Sequence, residues 1–318
     1  MTGAPSRSNT AQPTIAVFDS GVGGLTVLRA IVERIPNTDY LYFGDTARLP
    51  YGSKSRETIA RYAIGAAQFL EKKGATLLVI GCNTASAMAL YDVKAAVSIP
   101  VIGVIEPGAD RAAEISQSRE AVVIGTEATV AAHAYQRALA RRGFATHEKA
   151  CPLLVPLVEE GWTDHAVTEQ VARIYLAEAL KAASADTDIL VLGCTHYPLL
   201  KNVLRRVLPK NIAIVDSAET TAEAVVEELA ASAREKSITI CAGGKTGVIL
   251  NGAPEQKERV SLSGAPECGV EGPSASSESR AEPTFRFYVT DSVEKFQRMA
   301  PIFLGHAVEN VEHVDLGG

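Results

Sequence analysis

The sequence predicts an α/β fold built from two related half-domains, each a mostly parallel sheet flanked by helices, whose strand ends would face one cleft. Short apolar runs alternate with helix-length amphipathic stretches from Ile15 onward, a pattern typical of parallel sheets covered on both faces. Residues 79–84 (VIGCNT) and 191–196 (VLGCTH) also echo each other. Each ends an apolar run in Gly-Cys and continues into a helix-compatible stretch, which indicates two related half-domains.

The predicted strands are short apolar runs, at residues 14–18, 40–43, 76–80, 101–105, 121–124, 189–192, 212–215, 238–241 and 285–289. The predicted helices are longer amphipathic stretches, at residues 25–35, 56–73, 85–97, 129–142, 164–183 and 220–236. Gly74 and Gly143 fall where a glycine commonly ends a helix. Ligands of such folds bind beyond the carboxyl ends of the strands.

Two segments depart from this alternation. Residues 1–14 are polar and rich in Ser, Thr and Pro, and we expect a disordered tail there. Residues 243–283 lack aromatic side chains and are rich in Gly, Ser, Pro and Glu. Such a segment can bury little apolar area, so we predict a low-complexity insertion.

Composition excludes several function classes. The chain has 318 residues and a net charge of −6, which argues against a nucleic-acid partner. No apolar run approaches the roughly 18 residues of a membrane span, and the N-terminus has no apolar signal-peptide core. We therefore expect a cytoplasmic protein that binds neither membrane nor nucleic acid. Five cysteines at irregular spacing favour free thiols over a disulfide framework.

Cys82 and Cys194 give the sharpest chemical signal. Each follows a predicted strand and precedes a predicted helix, where the helix dipole lowers the pKa of a thiol. An unperturbed thiol, with a pKa near 8.5, is only about 3% ionised at pH 7. Either cysteine alone could be an inert buried side chain. Two thiols aimed at one cleft suit a reaction that takes a proton from one face of a carbon and returns it to the other. A zinc site including His196 would lack the usual ligand spacing, and we expect no metal.

Other motifs allow two interpretations each. Asp19 ends the first strand before a glycine-rich turn, where it could act in acid–base chemistry or cap a helix. The spacing of that turn matches no phosphate-binding motif, and a carboxylate would suit its N–H donors equally well. Residues 50–52 (Pro-Tyr-Gly) form either a simple turn or a cleft rim that offers backbone donors and a phenol. His196 is either catalytic or bonded to a backbone carbonyl.

In combination, these motifs resemble the signature blocks of the glutamate racemase family. The blocks are DSG at 19–21, PYG at 50–52, GCNTAS at 81–86, GVIEP at 103–107, VPLVE at 155–159 and LGCTHYP at 192–198. The closing segment VEHV at 311–314 is similar too, so the resemblance spans nearly the whole chain. The chain departs from the family pattern at Gly81, where alanine is common, and in the insertion at 243–283.

The resemblance implies a cofactor-independent isomerase that interconverts L- and D-glutamate and supplies this D-amino acid for peptidoglycan synthesis, and hence for cell wall biogenesis and cell shape. Cys82 would be the base for D-glutamate, assisted by Asp19. Cys194 would be the base for L-glutamate, assisted by His196 and Glu159. The residues that would hold the substrate are Asp19, Ser20, Pro50, Tyr51, Gly52, Asn83, Thr84, Thr126, Thr195 and His196.

The resemblance also implies a fold of two similar lobes with the active site in the cleft between them, and it leaves alternatives. Residues 15–104 and 212–318 would form the first lobe, and residues 105–211 the second. Members of the family are often homodimers. An aspartate racemase, or a related isomerase or decarboxylase, could use the same scaffold, because pocket size sets the length of the diacid. A non-catalytic amino-acid-binding protein is a further alternative, against which the two thiols and the missing signal peptide count.

Overall fold

A computed structural model describes residues 13–242 and 283–317 of the chain. The chain divides into one unit of residues 1–228 and 283–318 and a second of residues 229–282, and both sheets lie in the first. The strands of the described residues are β1 (Thr14–Asp19), β2 (Asp39–Gly44), β3 (Leu77–Ile80), β4 (Val101–Gly103), β5 (Glu120–Gly125), β6 (Ala145–Ala150), β7 (Ile189–Gly193), β8 (Ala213–Asp216), β9 (Phe285–Val289) and β10 (Val311–His313). The helices are α1 (Leu25–Arg34), α2 (Arg56–Lys72), α3 (Asn83–Ala96), α4 (Ile105–Ile115), α5 (Glu127–Ala131), α6 (Ala134–Ala140), α7 (Leu154–Glu159), α8 (Ala166–Ala182), α9 (Lys201–Val207), α10 (Ser217–Ala242) and α11 (Val293–Leu304).

The strands form two sheets in which every pairing is parallel. The first has six strands in the order β10-β9-β2-β1-β3-β4, and the second has four in the order β6-β5-β7-β8. This arrangement confirms the predicted α/β fold. No helix among the described residues is long and apolar enough to cross a membrane.

The strands of the first sheet are mostly apolar because helices cover both faces of the sheet. On one face, fully buried Ala63, Ala66 and Ala67 of α2 pack in a cluster with β1, β2, β3 and α3. On the other face, the ring of Phe296 from α11 lies 5.8 Å from that of Tyr42. Burying one large apolar side chain of this kind contributes about 1.5–3 kcal/mol.

The predicted strand at residues 238–241 is wrong, because those residues continue helix α10. A short apolar run cannot be distinguished from a helical segment by periodicity alone. The single helix predicted at 129–142 is two helices, since His133 between them adopts a left-handed backbone with φ of +49°. Gly74 and Gly143 do have the positive φ expected at helix ends.

One domain boundary requires correction. Strand β8 pairs with β7 and so belongs to the second sheet, whereas the family resemblance implied that residues 212–216 belong to the first lobe. The chain returns to the first sheet at β9, which pairs with β2. The predicted tail (1–14) and insertion (243–283) lie almost wholly outside the described residues, and the rest of the two-lobe plan stays a prediction.

Candidate active site

Cys82 lies between β3 and α3 at the carboxyl edge of the first sheet. It is 6% exposed, and its Sγ atom accepts a hydrogen bond from the Ala85 amide at 3.4 Å, so that the thiol caps α3. The Ser20 hydroxyl, which follows β1, lies 3.4 Å from the same sulfur. Since β1 and β3 are neighbours, parallel pairing brings these two strand ends together.

Asp19 ends β1 as a buried carboxylate. Its Oδ2 atom accepts a hydrogen bond from the Gly21 amide at 2.8 Å, while Oδ1 is buried without a partner among the described residues. Burial raises the pKa of this carboxyl group above its usual range. Gly24, and not Asp19, occupies the N-cap position of α1, so the helix-cap interpretation of Asp19 is wrong.

The expected low pKa of the Cys82 thiol is also wrong. Burial, followed by the negative charge of Asp19, raises the pKa of Cys82 to about 12. Hydrogen bonds from Ser20 and the Ala85 amide lower it by less. Cys82 is therefore a protonated thiol at neutral pH, because loss of contact with water disfavours the thiolate more than the helix terminus favours it.

The second thiol, Cys194, follows β7 and has a histidine partner. Its Sγ atom lies 3.8 Å from Nδ1 of His196, and Nε2 of His196 lies 3.1 Å from Oε1 of Glu159 at the end of α7. Burial lowers the pKa of His196, but Cys194 and Glu159 outweigh it and raise that pKa to about 10. The ring of Phe303 packs edge-on against the imidazole at 5.0 Å. Consecutive side-chain contacts thus link the three residues that were expected to act together, Cys194, His196 and Glu159.

The loop after β1 and the first turn of α1 join the two thiol neighbourhoods. Thr26 Oγ1 donates a hydrogen bond to the backbone carbonyl of Thr195 at 2.9 Å. A Cβ atom on Gly23 would lie 2.2 Å from Thr195 Oγ1, so the Gly23 backbone approaches the Thr195 side chain as closely as glycine allows. The charge of Asp19 acts on both Cys82 and His196. These contacts bring residues from both sheets to one site.

Three threonine hydroxyls form a triangle next to Cys82. Thr84 Oγ1 lies 3.1 Å from the hydroxyls of both Thr126 and Thr129, which are 2.9 Å from each other. Thr126 also caps α5 by accepting a bond from the Thr129 amide. Thr129 is not among the site residues expected from the sequence. Its place three residues after a helix-capping threonine is a local signal that the two side chains lie close together.

Asn83 begins α3 directly after Cys82. Its Oδ1 atom accepts a 2.7 Å hydrogen bond from the hydroxyl of Tyr135, and its Nδ2 atom is buried without a partner among the described residues. An unpaired buried donor is costly unless a ligand satisfies it. The first amides of α3 also point out of the helix N-terminus, where an anion is stabilised.

The turn of residues 50–52 packs beside α5: a Cβ atom on Gly52 would lie 3.9 Å from that of Ala128. The expectation that the Tyr51 phenol lies at the cleft rim is wrong. Tyr51 is buried, and its hydroxyl donates a hydrogen bond to Asp45 Oδ2 at 2.6 Å. Asp45 also accepts bonds from Arg48 and Thr290, so it holds this turn in place. Pro50 itself is exposed. Any contribution of Tyr51 to ligand binding comes from its backbone.

Within residues 13–242 and 283–317, no group of three or more His, Cys, Asp or Glu side chains could hold a metal ion. Cys82, Cys151 and Cys194 are free thiols. Cys241 and Cys268 fall outside the side chains that the structure describes.

Comparison with known proteins gives consistent matches. The model of the Asp/Glu/Hydantoin racemase family matches residues 15–225. The glutamate racemase of Koribacter versatilis is 55% identical over 310 residues, which cover 96% of this chain and 99% of that protein. The crystal structure of the Thermus thermophilus glutamate racemase with β-chloro-D-alanine is 40% identical, with a TM-score of 0.74 over 96% of this chain and 98% of that one. The Francisella tularensis glutamate racemase with D-glutamate is 30% identical, with a TM-score of 0.75 over 96% and 98%.

Proposed function

The chain belongs to the Asp/Glu/Hydantoin racemase family, and on that premise we propose that it interconverts L- and D-glutamate with Cys82 and Cys194 as its two bases. Its activity is that of an isomerase acting on glutamate, which supplies D-glutamate for peptidoglycan synthesis. The two cysteines are assigned as the bases because the site is symmetric. Each Gly-Cys strand end presents a buried thiol with its own acid–base neighbour, and the loop after β1 contacts both neighbourhoods through Ser20 and Gly23.

In the direction from L- to D-glutamate, Cys194 acts as a thiolate and removes the α-proton. The protonated imidazole of His196, 3.8 Å away and held by Glu159, stabilises the thiolate charge. Cys82 then donates its proton to the opposite face of the α-carbon. Its raised pKa keeps that proton in place until the carbanion forms.

In the reverse direction, Cys82 must lose its proton to become the base. The ammonium group of a bound D-glutamate would offset the charge of Asp19 and lower the cost of a thiolate there. A protonated Cys194 then completes the reaction on the other face. Because each direction needs one thiolate and one thiol, kcat/KM should follow a bell-shaped pH profile.

The substrate carboxylates and the developing negative charge require hydrogen-bond donors. The Asn83 Nδ2 group, the first amides of α3 and the hydroxyls of Thr84 and Thr126 lie beside Cys82 and are suited to this role. Ser20, Thr195 and the backbone of Tyr51 and Gly52 complete the proposed set of substrate contacts. No cofactor enters this scheme.

The test is optical rotation of L-glutamate incubated with the purified protein without added cofactor. We expect rotation to decay to zero, and aspartate in a parallel tube to react far more slowly. Cys82→Ser and Cys194→Ser should each lower turnover by at least about 10³-fold, because a serine hydroxyl is a much weaker acid than a thiol: it does not ionise to act as the base, and it is a poor proton donor to the carbanion. Cys151→Ser is the matched control, since this buried thiol donates its hydrogen bond to the backbone carbonyl of Lys149 and has no part in the proposed chemistry. Near-normal turnover in either active-site variant would refute the two-base assignment.

Two further parts of the proposal concern the cellular setting. We place the enzyme in the cytoplasm, where thiols stay reduced, because a disulfide would abolish the proposed chemistry. The homodimer predicted from the resemblance stays a prediction, which sedimentation of the purified chain would test.

A further inference from the structure

We propose that Tyr135 is a positioning residue for this reaction: from the second-sheet side it fixes the Asn83 carboxamide so that Nδ2 faces the substrate. The inference rests on the proposed function and extends it to a residue outside the motifs of the sequence. Tyr135 is the second residue of α6 and is fully buried. Its hydroxyl reaches Asn83 Oδ1 across 52 positions of the chain.

The ring of Tyr135 is held in a slot between two glycines. A Cβ atom on Gly193 would lie 3.2 Å from its Cε2 atom, and one on Gly108 would lie 3.5 Å from Cε1. Because Gly193 directly precedes Cys194, one side chain contacts the residue before one thiol and the residue after the other. The ring therefore sets the position of Asn83 relative to Cys194.

The start of α6 is itself anchored. His133 precedes the helix in a left-handed conformation, and its Nδ1 atom lies 2.7 Å from Oε2 of Glu148 on β6. This contact fixes the corner between α5 and α6, so that Tyr135 enters its slot from a defined direction.

The hydrogen bond determines which end of the carboxamide is free. Burial, followed by the charges of Asp216 and Cys194, raises the pKa of the Tyr135 phenol, which therefore stays protonated and can donate. A phenol that donates to Oδ1 leaves Nδ2 as a donor without a protein partner among the described residues. Since a carboxylate is the matching acceptor, the carboxamide is oriented in advance for a carboxylate of glutamate.

Tyr135→Phe tests this role because it removes the hydroxyl and keeps the ring. We expect KM for L-glutamate to rise about tenfold, with kcat changed by less than about threefold, since a misoriented buried amide loses about one hydrogen bond to the substrate. The matched control is Tyr40→Phe. Tyr40 is equally buried, and its hydroxyl bonds to the Ile35 carbonyl at the amino end of β2, so its removal should leave both constants unchanged.

A double-mutant cycle separates positioning from general stability. We expect Tyr135→Phe and Asn83→Ala each to weaken binding of racemic glutamate about tenfold by calorimetry, and the double variant to bind no more weakly than Asn83→Ala alone. An undiminished effect of Tyr135→Phe in the Asn83→Ala background would overturn the inference. So would an unchanged KM in Tyr135→Phe while the wild-type protein racemises glutamate. An inactive wild-type protein would instead refute the proposed function.

A measurement on the wild-type protein covers the case in which Tyr135→Phe does not fold. The side-chain amide signals of Asn83 in ¹⁵N spectra, assigned by their loss in Asn83→Ala, should form one pair that shifts when racemic glutamate is added. A pair that does not shift at saturating glutamate would contradict a carboxamide that faces the substrate.

Discussion

Gly23→Ala should separate the two halves of the site without breaking the fold. A Cβ atom at this position would lie 2.2 Å from Thr195 Oγ1 and 2.6 Å from both Nδ1 and Cε1 of His196. Ordinary contacts of a Cβ atom begin at 3.4 Å, so the Thr195 and His196 side chains must move away from the loop after β1 by roughly 1 Å. A displacement of that size can lower the rate about 10²-fold, since proton transfer depends steeply on the positions of the reacting atoms.

The fold itself should tolerate this substitution. The backbone of Gly23 is outside the left-handed region, so alanine is allowed there and only the collision acts. Overpacking of this kind lowers the free energy of unfolding by about 1–3 kcal/mol. Gly65→Ala is the matched control: Gly65 lies inside α2 with no described atom within 4 Å of an added Cβ. It should keep full activity and stabilise α2 by about 1 kcal/mol.

The assay is kcat/KM for L- and D-glutamate by optical rotation, combined with denaturant unfolding of each variant. We expect Gly23→Ala to lose about 10²-fold in kcat/KM in both directions and to remain folded. Activity within about threefold of the wild-type value would refute the close contact between the two thiol neighbourhoods. An equal loss in Gly65→Ala would show that the effect is not specific to the site.

Three further predictions concern ionisation and packing. Alkylation of Cys82 by iodoacetamide should still be accelerating above the pKa of about 8.5 of an unperturbed thiol, and Asp19→Asn should shift the profile to lower pH; an unshifted profile would contradict the charge effect of Asp19. Because the pKa of His196 is raised from 6.5 to about 10 on folding, its stabilisation is complete below pH 6.5 and is lost as pH rises through about 10. Denaturant unfolding across that range should show the loss, and Glu159→Gln should reduce it; an equal loss in the variant would rule out Glu159 as the partner. Tyr51→Phe should cost about 1–3 kcal/mol of unfolding free energy with little change in kcat/KM, since the phenol bonds to a buried carboxylate instead of the substrate; a loss of activity without a loss of stability would contradict this orientation.

The strand ends and their thiols could be predicted because they are local in sequence. A buried parallel strand is a continuous apolar run, and the Gly-Cys pairs mark where two such strands end. Strand β6 was missed because it is an edge strand of the second sheet with the mixed sequence ATHEKA. Nothing in its periodicity distinguishes it from a loop.

The rest of the site depends on contacts that sequence spacing does not encode. Tyr135 meets Asn83 only because α6 packs over the start of α3, and no motif surrounds the tyrosine. The pKa of Cys82 depends on how completely water is excluded, which outweighs the local effect of the helix terminus. The phenol of Tyr51 turns inward because Asp45, six residues earlier, is buried and needs donors.

Isotope exchange at the α-carbon tests most directly whether two thiols work on opposite faces of the substrate. L-glutamate is incubated with the enzyme in deuterium oxide, and both enantiomers are separated at low conversion and analysed by mass. We predict deuterium at the α-carbon of the D-glutamate formed and protium in the L-glutamate recovered, because one sulfur removes the proton and the other delivers a solvent-derived deuteron. Deuterium accumulating in recovered L-glutamate faster than D-glutamate forms would mean that a single base serves one face, and would contradict the roles of Cys82 and Cys194.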